Sequence, residues 1–481
     1  MHARAGEAGA GTGRSLLSRI EVTQGVTAQD PGLTEQLAAT LARPVEVADR
    51  ARAALLVADW LGCVLGAMRG PLALQLADIV RAGPAGAASA IAVGARTPEA
   101  ALLINAALGN VLEMDDVHRG AILHPGPVVI PVALAAAQAA GAEAVDFLDA
   151  VVRGYEATIR VGSALGTGHY RFWHPTSTAG AFGAAAAAAS VQGLGPGQVA
   201  DALGTAGSRT GGLWQMRHEP VPTKSIHNAE AARSGWLAAC LAAAGLRGPR
   251  AILEGPQGLF AATAPGAPHA PLAAEAGEGW LIHGTSLKPW PACRHAHPAI
   301  DAMLDALAGA GPVEAGAIAR IRVATYAEAL RFCDRPHPVT ELEARFSLQH
   351  ALAAIACLGR PQLEHYLPAA FDLAQLRALR ERVELVEDAG CSKRFPAHYG
   401  ATVDIHLADG RCLSAARVDA WGDPECPMDA ADVMAKARSL AAWGGVPADA
   451  AGGVLQAAEA LAAGGTLAAL THALDKVPAC A

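Results

Sequence analysis

A chain of 481 residues, 52% of them hydrophobic, can bury a large core and exceeds the size at which one core keeps growing, so two domains are expected. Its net charge of -8 and the lack of any basic run exclude a nucleic-acid footprint and argue against an anionic membrane surface. An anionic substrate would therefore need a local cationic pocket. Aromatic residues make up only 4% while Ala and Gly abound, so the interior must be built by helices approaching closely. The longest uncharged apolar runs, around 131–141 and 179–190, fall short of a membrane span. Nine scattered cysteines, an odd number with no CxxC pair, and an N-terminus lacking an apolar signal core point away from a disulfide framework, a zinc ribbon or an iron-sulfur cluster. The expectation is a cytoplasmic protein without metal or cofactor.

Residues 1–29, Gly-rich and poor in large apolar groups, read as a mobile tail. Asp30-Pro31 then opens a helix with Leu33, Leu37 and Leu41 on one face, ended by Pro44. A second helix spans about 45–68, with Leu55, Ala58, Gly62 and Leu65 as a small-residue seam and Asp59 as a satisfied core acid. A short strand is expected at 90–93. Thr97 and Pro98 start a helix that should run to Leu112. It ends in Glu113, Asp115 and Asp116, acids that gain nothing from the negative end of a helix dipole and so need other partners. His118, Arg119 and His124 follow within the same loop, and His124-Pro125-Gly126 stops any continued helix. The spacing points to an acid/base loop held between two helices.

Helices are expected from there to about Leu246, with Gly154 of Arg153-Gly154-Tyr155-Glu156 permitting close packing. His174 precedes a helix over 179–190 capped by Thr176 or Ser177, and Lys224, with His227 nearby, precedes another that runs to about Leu241. Cations at helix N-termini oppose the dipole unless an anion binds there, which makes both places candidate carboxylate sites. A Pro/Ala/Gly stretch at 264–272 reads as a crossover. Lys288 and the Cys293-Arg294-His295-Ala296-His297-Pro298 run open the second part, with His297 near an N-cap. Alternating segments at 319–325, 382–388 and 401–407, the last turning at Asp409-Gly410 into 412–418, predict a small sheet. The chain is helical again from Met428. The expected fold class is mainly α: a large all-helical domain over 30–268, a smaller α+β domain over 269–426, an active cleft between them, and helices at 427–481 returning to the first domain.

The loop from Glu113 to Gly126, with Asn105 and Asn110 before it and Pro127 to Leu134 after it, resembles the MmgE/PrpD family, which includes 2-methylcitrate dehydratases, cis-aconitate decarboxylases and iminodisuccinate epimerases. Asp59-Trp60-Leu61-Gly62, the Gly-Tyr-Glu at 154–156 and the Lys288 segment are similar in order along the chain. The resemblance implies a homodimeric, metal-free lyase acting on a small di- or tricarboxylate. Dehydration is the first reading; decarboxylation, epimerisation and a catalytically lost carboxylate-binding protein are the alternatives. It also implies catalytic roles for Asp115, Asp116, His124, His174, Lys224 and Lys288, and substrate contacts from Glu113, His118, His227, Cys293, Arg294, His297 and His350. Neither lysine is expected to be buried without a substrate. Two departures stand out: Cys293 replaces a histidine of the decarboxylase branch, and His350 replaces the tyrosine of its Phe-Ser-x-x-Tyr motif. A metal reading of Cys293, His295 and His297, or of Asp115, Asp116, His118 and His124, competes with these roles; Pro298 and the helix behind it suit an N-cap better.

Overall fold

Small residues let the N-terminal helices stack at close range. The computed structural model describes residues 31–480 except 220, 267–271 and 276; the tail expected at 1–29 and the middle of the 264–272 crossover lie outside the described residues. The first helices are α1 (Leu33–Leu41), α2 (Val47–Ala67), α3 (Pro71–Arg81), α4 (Pro98–Leu108), α5 (Gly126–Ala140), α6 (Ala144–Tyr170), α7 (Pro175–Val191), α8 (Pro196–Gly207) and α9 (Thr223–Ala243). At their centre α7, buried over almost its whole length, packs against α5, α6, α8 and α9. Gly154 makes this possible: a Cβ there would meet the Val129 side chain, the Gly183 carbonyl oxygen at 3.0 Å and the Ala187 Cβ at 3.1 Å.

Several boundaries move from their expected places. α4 ends at Leu108 rather than Leu112, because Gly109 packs where a Cβ would meet Trp60 Nε1 at 2.7 Å and the chain leaves the helix there. The expected strand at 90–93 is the turn of a hairpin between β1 (Ala88–Ala90) and β2 (Gly94–Arg96), since Ala92 (φ 68°) and Gly94 (φ 103°) reverse the chain. α7 begins at Pro175 with His174 as its N-cap, so Thr176 and Ser177 lie in its first turn. Lys224 likewise lies inside the first turn of α9 rather than before it.

Two buried apolar clusters organise the described chain. The first gathers α1 to α9, and the helices Ala430–Trp443, Ala448–Ala460 and Leu467–Leu474 return to it. The second lies between residues 290 and 407. Its sheet has the order β6-β5-β7-β8, from β5 (Ile318–Thr325), β6 (Val383–Glu387), β7 (Ala401–Leu407) and β8 (Cys412–Arg417); β5 and β6 are parallel and the other pairs antiparallel. Gly410 (φ 89°) turns the β7–β8 hairpin. The helix His297–Ala308 covers β7 and β8. The protein is thus mainly α with a smaller mixed part. A two-residue ladder, β3 (Val117–His118) with β4 (Thr285–Ser286), ties the acidic loop to the segment that carries Lys288. Among the described residues no single helix is long and apolar enough to cross a membrane.

A Gly-to-Ala change in a helix interior normally gains about 1 kcal/mol. For Gly154→Ala the added methyl has no room against the α7 backbone, and overpacking of this kind costs about 1 to 3 kcal/mol. A lower urea midpoint with an unchanged slope is the expected result; a gain in stability would show that α5, α6 and α7 can separate.

Candidate active site

Three lysines from distant parts of the chain converge on the acidic loop. Glu113, Asp115 and Asp116 are buried, at 4%, 1% and 4% exposure, and Glu113 adopts φ 54°, a left-handed conformation that costs energy in a non-glycine residue and persists only where its surroundings enforce it. Lys224 Nζ pairs with Glu113 Oε1. Lys288 Nζ donates to the Glu113 carbonyl oxygen at 2.9 Å and to Asp115 Oδ1 at 3.2 Å, and lies 3.5 Å from Glu113 Oε2. Lys436, from the helix Ala430–Trp443, donates to the Met114 carbonyl oxygen at 2.5 Å and to Asp59 Oδ1 at 2.6 Å. Asp59 is thereby the satisfied core acid that was expected.

The electrostatics follow from these pairs. Burial works against ionising Glu113, but Lys224 and Lys288 outweigh it and lower its pKa. Burial likewise opposes the Asp115 carboxylate, yet His124 and Lys288 hold its pKa well below the usual range. Lys288, at 1% exposure, is disfavoured as a cation by burial, and Asp115 and Glu113 more than compensate. Asp116 makes no ion pair among the described residues: burial and then the charge of Asp115 raise it to about 7, against the hydrogen bond it accepts from Tyr155. Tyr155 Oη donates to Asp116 Oδ2 at 2.8 Å, and the Gly126 N–H donates to Oδ1 at 3.1 Å.

His124 Nδ1 faces two acceptors, the Asp116 carbonyl oxygen at 2.7 Å and Asp115 Oδ2 at 3.0 Å, which places a proton on Nδ1 and leaves Nε2 as the atom that can exchange one. The His124 N–H donates to Thr176 Oγ1 at 3.1 Å in the first turn of α7, next to His174. His174 Nδ1 lies 3.3 Å from His227 Nδ1, and its Nε2 is buried without a hydrogen-bond partner among the described residues. Burial, then Lys224, His227 and His124, push its pKa well down, so it is a neutral imidazole at pH 7. Lys224 and His227 stand three residues apart on the first turn of α9 and share a face.

The other expected residues lie elsewhere or are already engaged. His118 points away from the acids: its Nδ1 accepts from the Ala121 N–H at 3.2 Å, and burial lowers it to about 4. Arg294 is ion-paired with Asp423. His297 uses both ring nitrogens, Nε2 on the Ala292 carbonyl oxygen at 3.0 Å and Nδ1 against Arg294 Nη1 at 3.0 Å. His350 is in the second core, with Nε2 on the His365 carbonyl oxygen at 2.9 Å. Cys293 is buried beside the Cys333 thiol, whose hydrogen bond lowers its pKa. His295 lies between Phe332 and Tyr399, stacked on both at ring distances of 5.0 and 5.2 Å, so Cys293, His295 and His297 have separate partners and form no common ligand set. Among the described residues the group whose ligand atoms converge is His398, Asp419 and Glu425, and Arg119 already bridges its two carboxylates at 2.8 and 2.7 Å.

A cavity of about 490 Å³ lies beside this cluster, and most of the residues that line it are not among those expected from sequence. Ile122 (φ 53°), the last turn of α6 beyond the break at Gly166, and Arg217 line it from one side; His295, Glu328, Arg331, Phe332 and Phe395 line it from the other. Trp214 joins cavity and cluster: its ring is 4.5 Å from His174 and 5.6 Å from Tyr170. No spacing rule marks Trp214, Arg217 or the Tyr155 hydroxyl, because their partners are far away in sequence.

Fold and site together define a helical scaffold carrying a buried cluster of acids, lysines and histidines, and two family models match it: the MmgE/PrpD N-terminal domain over residues 33–271 and the MmgE/PrpD C-terminal domain over 290–457. The chain belongs to the MmgE/PrpD family. It is 33% identical over 228 residues to a cis-aconitate decarboxylase-like protein of Aspergillus oryzae, a match covering 45% of this chain and 47% of that protein. It is 24% identical over 430 residues to the cis-aconitate decarboxylase of Aspergillus terreus (83% of this chain, 86% of that protein), and 28% over 359 residues to that of Homo sapiens (72% and 73%). These relatives support an enzyme with a lyase-type reaction.

Two outcomes test the electrostatics. The expectation that neither lysine is buried fails for Lys288: Lys288→Ala takes a buried cation from both Glu113 and Asp115, leaving them only Lys224 and His124, and should cost about 3 kcal/mol, whereas Lys224, with 19% of its side chain exposed, should cost far less. Equal denaturation midpoints for the two variants would contradict the cluster. Asp116 has a raised folded pKa, so as pH rises from about 4 to about 7 the unfolded chain releases this proton first and stability falls. Asp116→Asn removes that loss, and its thermal midpoint relative to the parent should rise between about pH 5 and about pH 8. A constant difference would mean that Asp116 titrates normally.

Proposed function

We propose that this protein is a lyase acting on a small di- or tricarboxylate, moving a proton at the carbon next to a carboxylate with its own side chains. The observation that carries the reading is the fixed tautomer of His124: Asp115 and the Asp116 carbonyl hold its Nδ1 proton and leave Nε2 to take or deliver a proton. Lys224, the more open of the two lysines, is placed to offset charge developing on the reacting carboxylate. Lys288 acts by holding Asp115 and the Glu113 carbonyl in place. The same reading takes the two cores as two domains, divided near 268/269 and 426/427, with the cavity as the cleft between them.

The names of the relatives favour decarboxylation over the dehydration read from sequence motifs. Dehydration stays as a second reading because it needs one group to take the carbon's proton and another to protonate the leaving hydroxyl: His174, neutral with Nε2 unpartnered, offers a base, and His124, once protonated, the acid. Assays of citrate, methylcitrate, aconitate and iminodisuccinate analogues, with products followed by NMR and with and without chelator, separate the reactions. On the acid that turns over, His124→Gln should lower kcat about 100- to 10,000-fold with KM little changed. Lys224→Ala should affect both constants. Near-native kcat in His124→Gln would remove His124 from the chemistry.

A further inference from the structure

The lysines of the cluster already have partners. Lys224 closes on Glu113, and Lys288 on Asp115 and Glu113, so a substrate bearing several carboxylates finds little unspent positive charge there. The adjoining cavity supplies it. Arg171, Arg217 and Arg331 line it, with Glu328 as its one acid. Arg217 is half-buried, and its guanidinium carbon lies 4.5 Å from the centroid of the Phe332 ring, 4.8 Å from that of Trp214 and 5.8 Å from that of Tyr170. Arg331 stands 5.8 Å from the same Phe332 ring.

Among the described residues neither arginine makes an ion pair, whereas Arg119 and Arg160, buried to a similar or greater depth, both close on carboxylates. Two guanidinium groups on one phenyl ring repel each other, and stacking on aromatic faces leaves their N–H edges free for a planar, doubly hydrogen-bonded oxyanion. The indole that holds Arg217 also contacts His174 at 4.5 Å, so a single side chain separates this charge from the acid/base residues.

We propose that Arg217, with Arg331 beside it, anchors the substrate carboxylate remote from the reacting carbon, and so makes the site selective for di- and tricarboxylates over monocarboxylates. This rests on the reading of the site as a carboxylate-binding centre, and it deepens that reading by assigning the second carboxylate a place. A phosphate group would suit the same arginines, so the test includes it.

Calorimetry with tricarballylate, butyrate and inorganic phosphate, on the full chain and on Arg217→Gln and Arg331→Gln, reads the proposal directly. Tricarballylate should bind best, and Arg217→Gln should weaken it about 10- to 100-fold, with a smaller loss for Arg331→Gln. Butyrate binding should be indifferent to both changes. If Arg217→Gln fails to fold for want of its stacking, the exposed Arg331 carries the test. Unchanged tricarballylate binding in the folded variants overturns the proposal, as does no tricarballylate binding by the parent chain or phosphate binding at least as tight. Loss of binding in the variants, with no acid turned over by the parent, leaves the anchor standing and removes the lyase reading. The reverse result, turnover that needs His124 but ignores Arg217 and Arg331, removes the anchor alone.

Discussion

Burying three carboxylates in one short loop is the constraint that the rest of the structure answers. An isolated buried charge is far too costly to keep, so each acid must be paired with a cation, bound by several donors, or protonated. This chain uses all three routes. Glu113 and Asp115 are paired with Lys224, Lys288 and His124. Asp116, which makes no ion pair among the described residues, is raised to about 7 and tied to Tyr155 and Gly126. Met114, between them, gives its carbonyl to Lys436. The partners arrive from α6, α9, the β4 segment and the C-terminal helices, so the loop reaches its final form only when distant stretches have closed on it. A rigid acid/base site and a long-range tether between both ends of the chain are therefore one structure.

How much of this could be read from sequence depended on range. The amphipathic and Ala-rich periodicities located the helices, and the alternation at 401–407 with Asp409-Gly410 located the hairpin, because those signals lie within a few residues of one another. The acids were correctly seen to need partners, although the helix expected to end in them stops at Leu108 and burial, not the helix dipole, is the reason. Which cations would come was a question of tertiary structure, and Lys436, some three hundred residues away, carried no local mark. The same limit explains the errors of detail. A turn made by Ala92 at positive φ looked like a strand, since alternation alone does not report the backbone reversal. Lys288 was expected at the site but not buried there; the β3–β4 ladder sets it beside the acids at 1% exposure.

The two departures from the decarboxylase branch separate once they are placed. His350 gives its ring to a backbone carbonyl in the second core, where imidazole does a buried, neutral, structural job. Cys293 lies by Cys333, at the end of the helix Ala327–Cys333 that also carries Arg331 and Phe332 to the cavity. A replacement at 293 thus bears on the wall of the cavity more than on the proton-carrying loop.

That placement suggests how the work is divided. Residues fixed by the first core, Asp115, His124 and His174, which the proposed function makes proton carriers, have a geometry locked by buried ion pairs and by the start of α7. The cavity wall is aromatic and cationic and draws on both parts of the chain, Arg217 from the N-terminal part and Arg331 and Phe332 from the helix Ala327–Cys333; among the described residues these two arginines stack on rings and make no ion pair. A change on the first wall leaves buried charge uncompensated and is punished in stability. A change on the second alters shape and charge at little structural cost. On the reading proposed above, chemistry set in the constrained wall and selectivity in the tolerant one would let a single scaffold keep one reaction while admitting different acids.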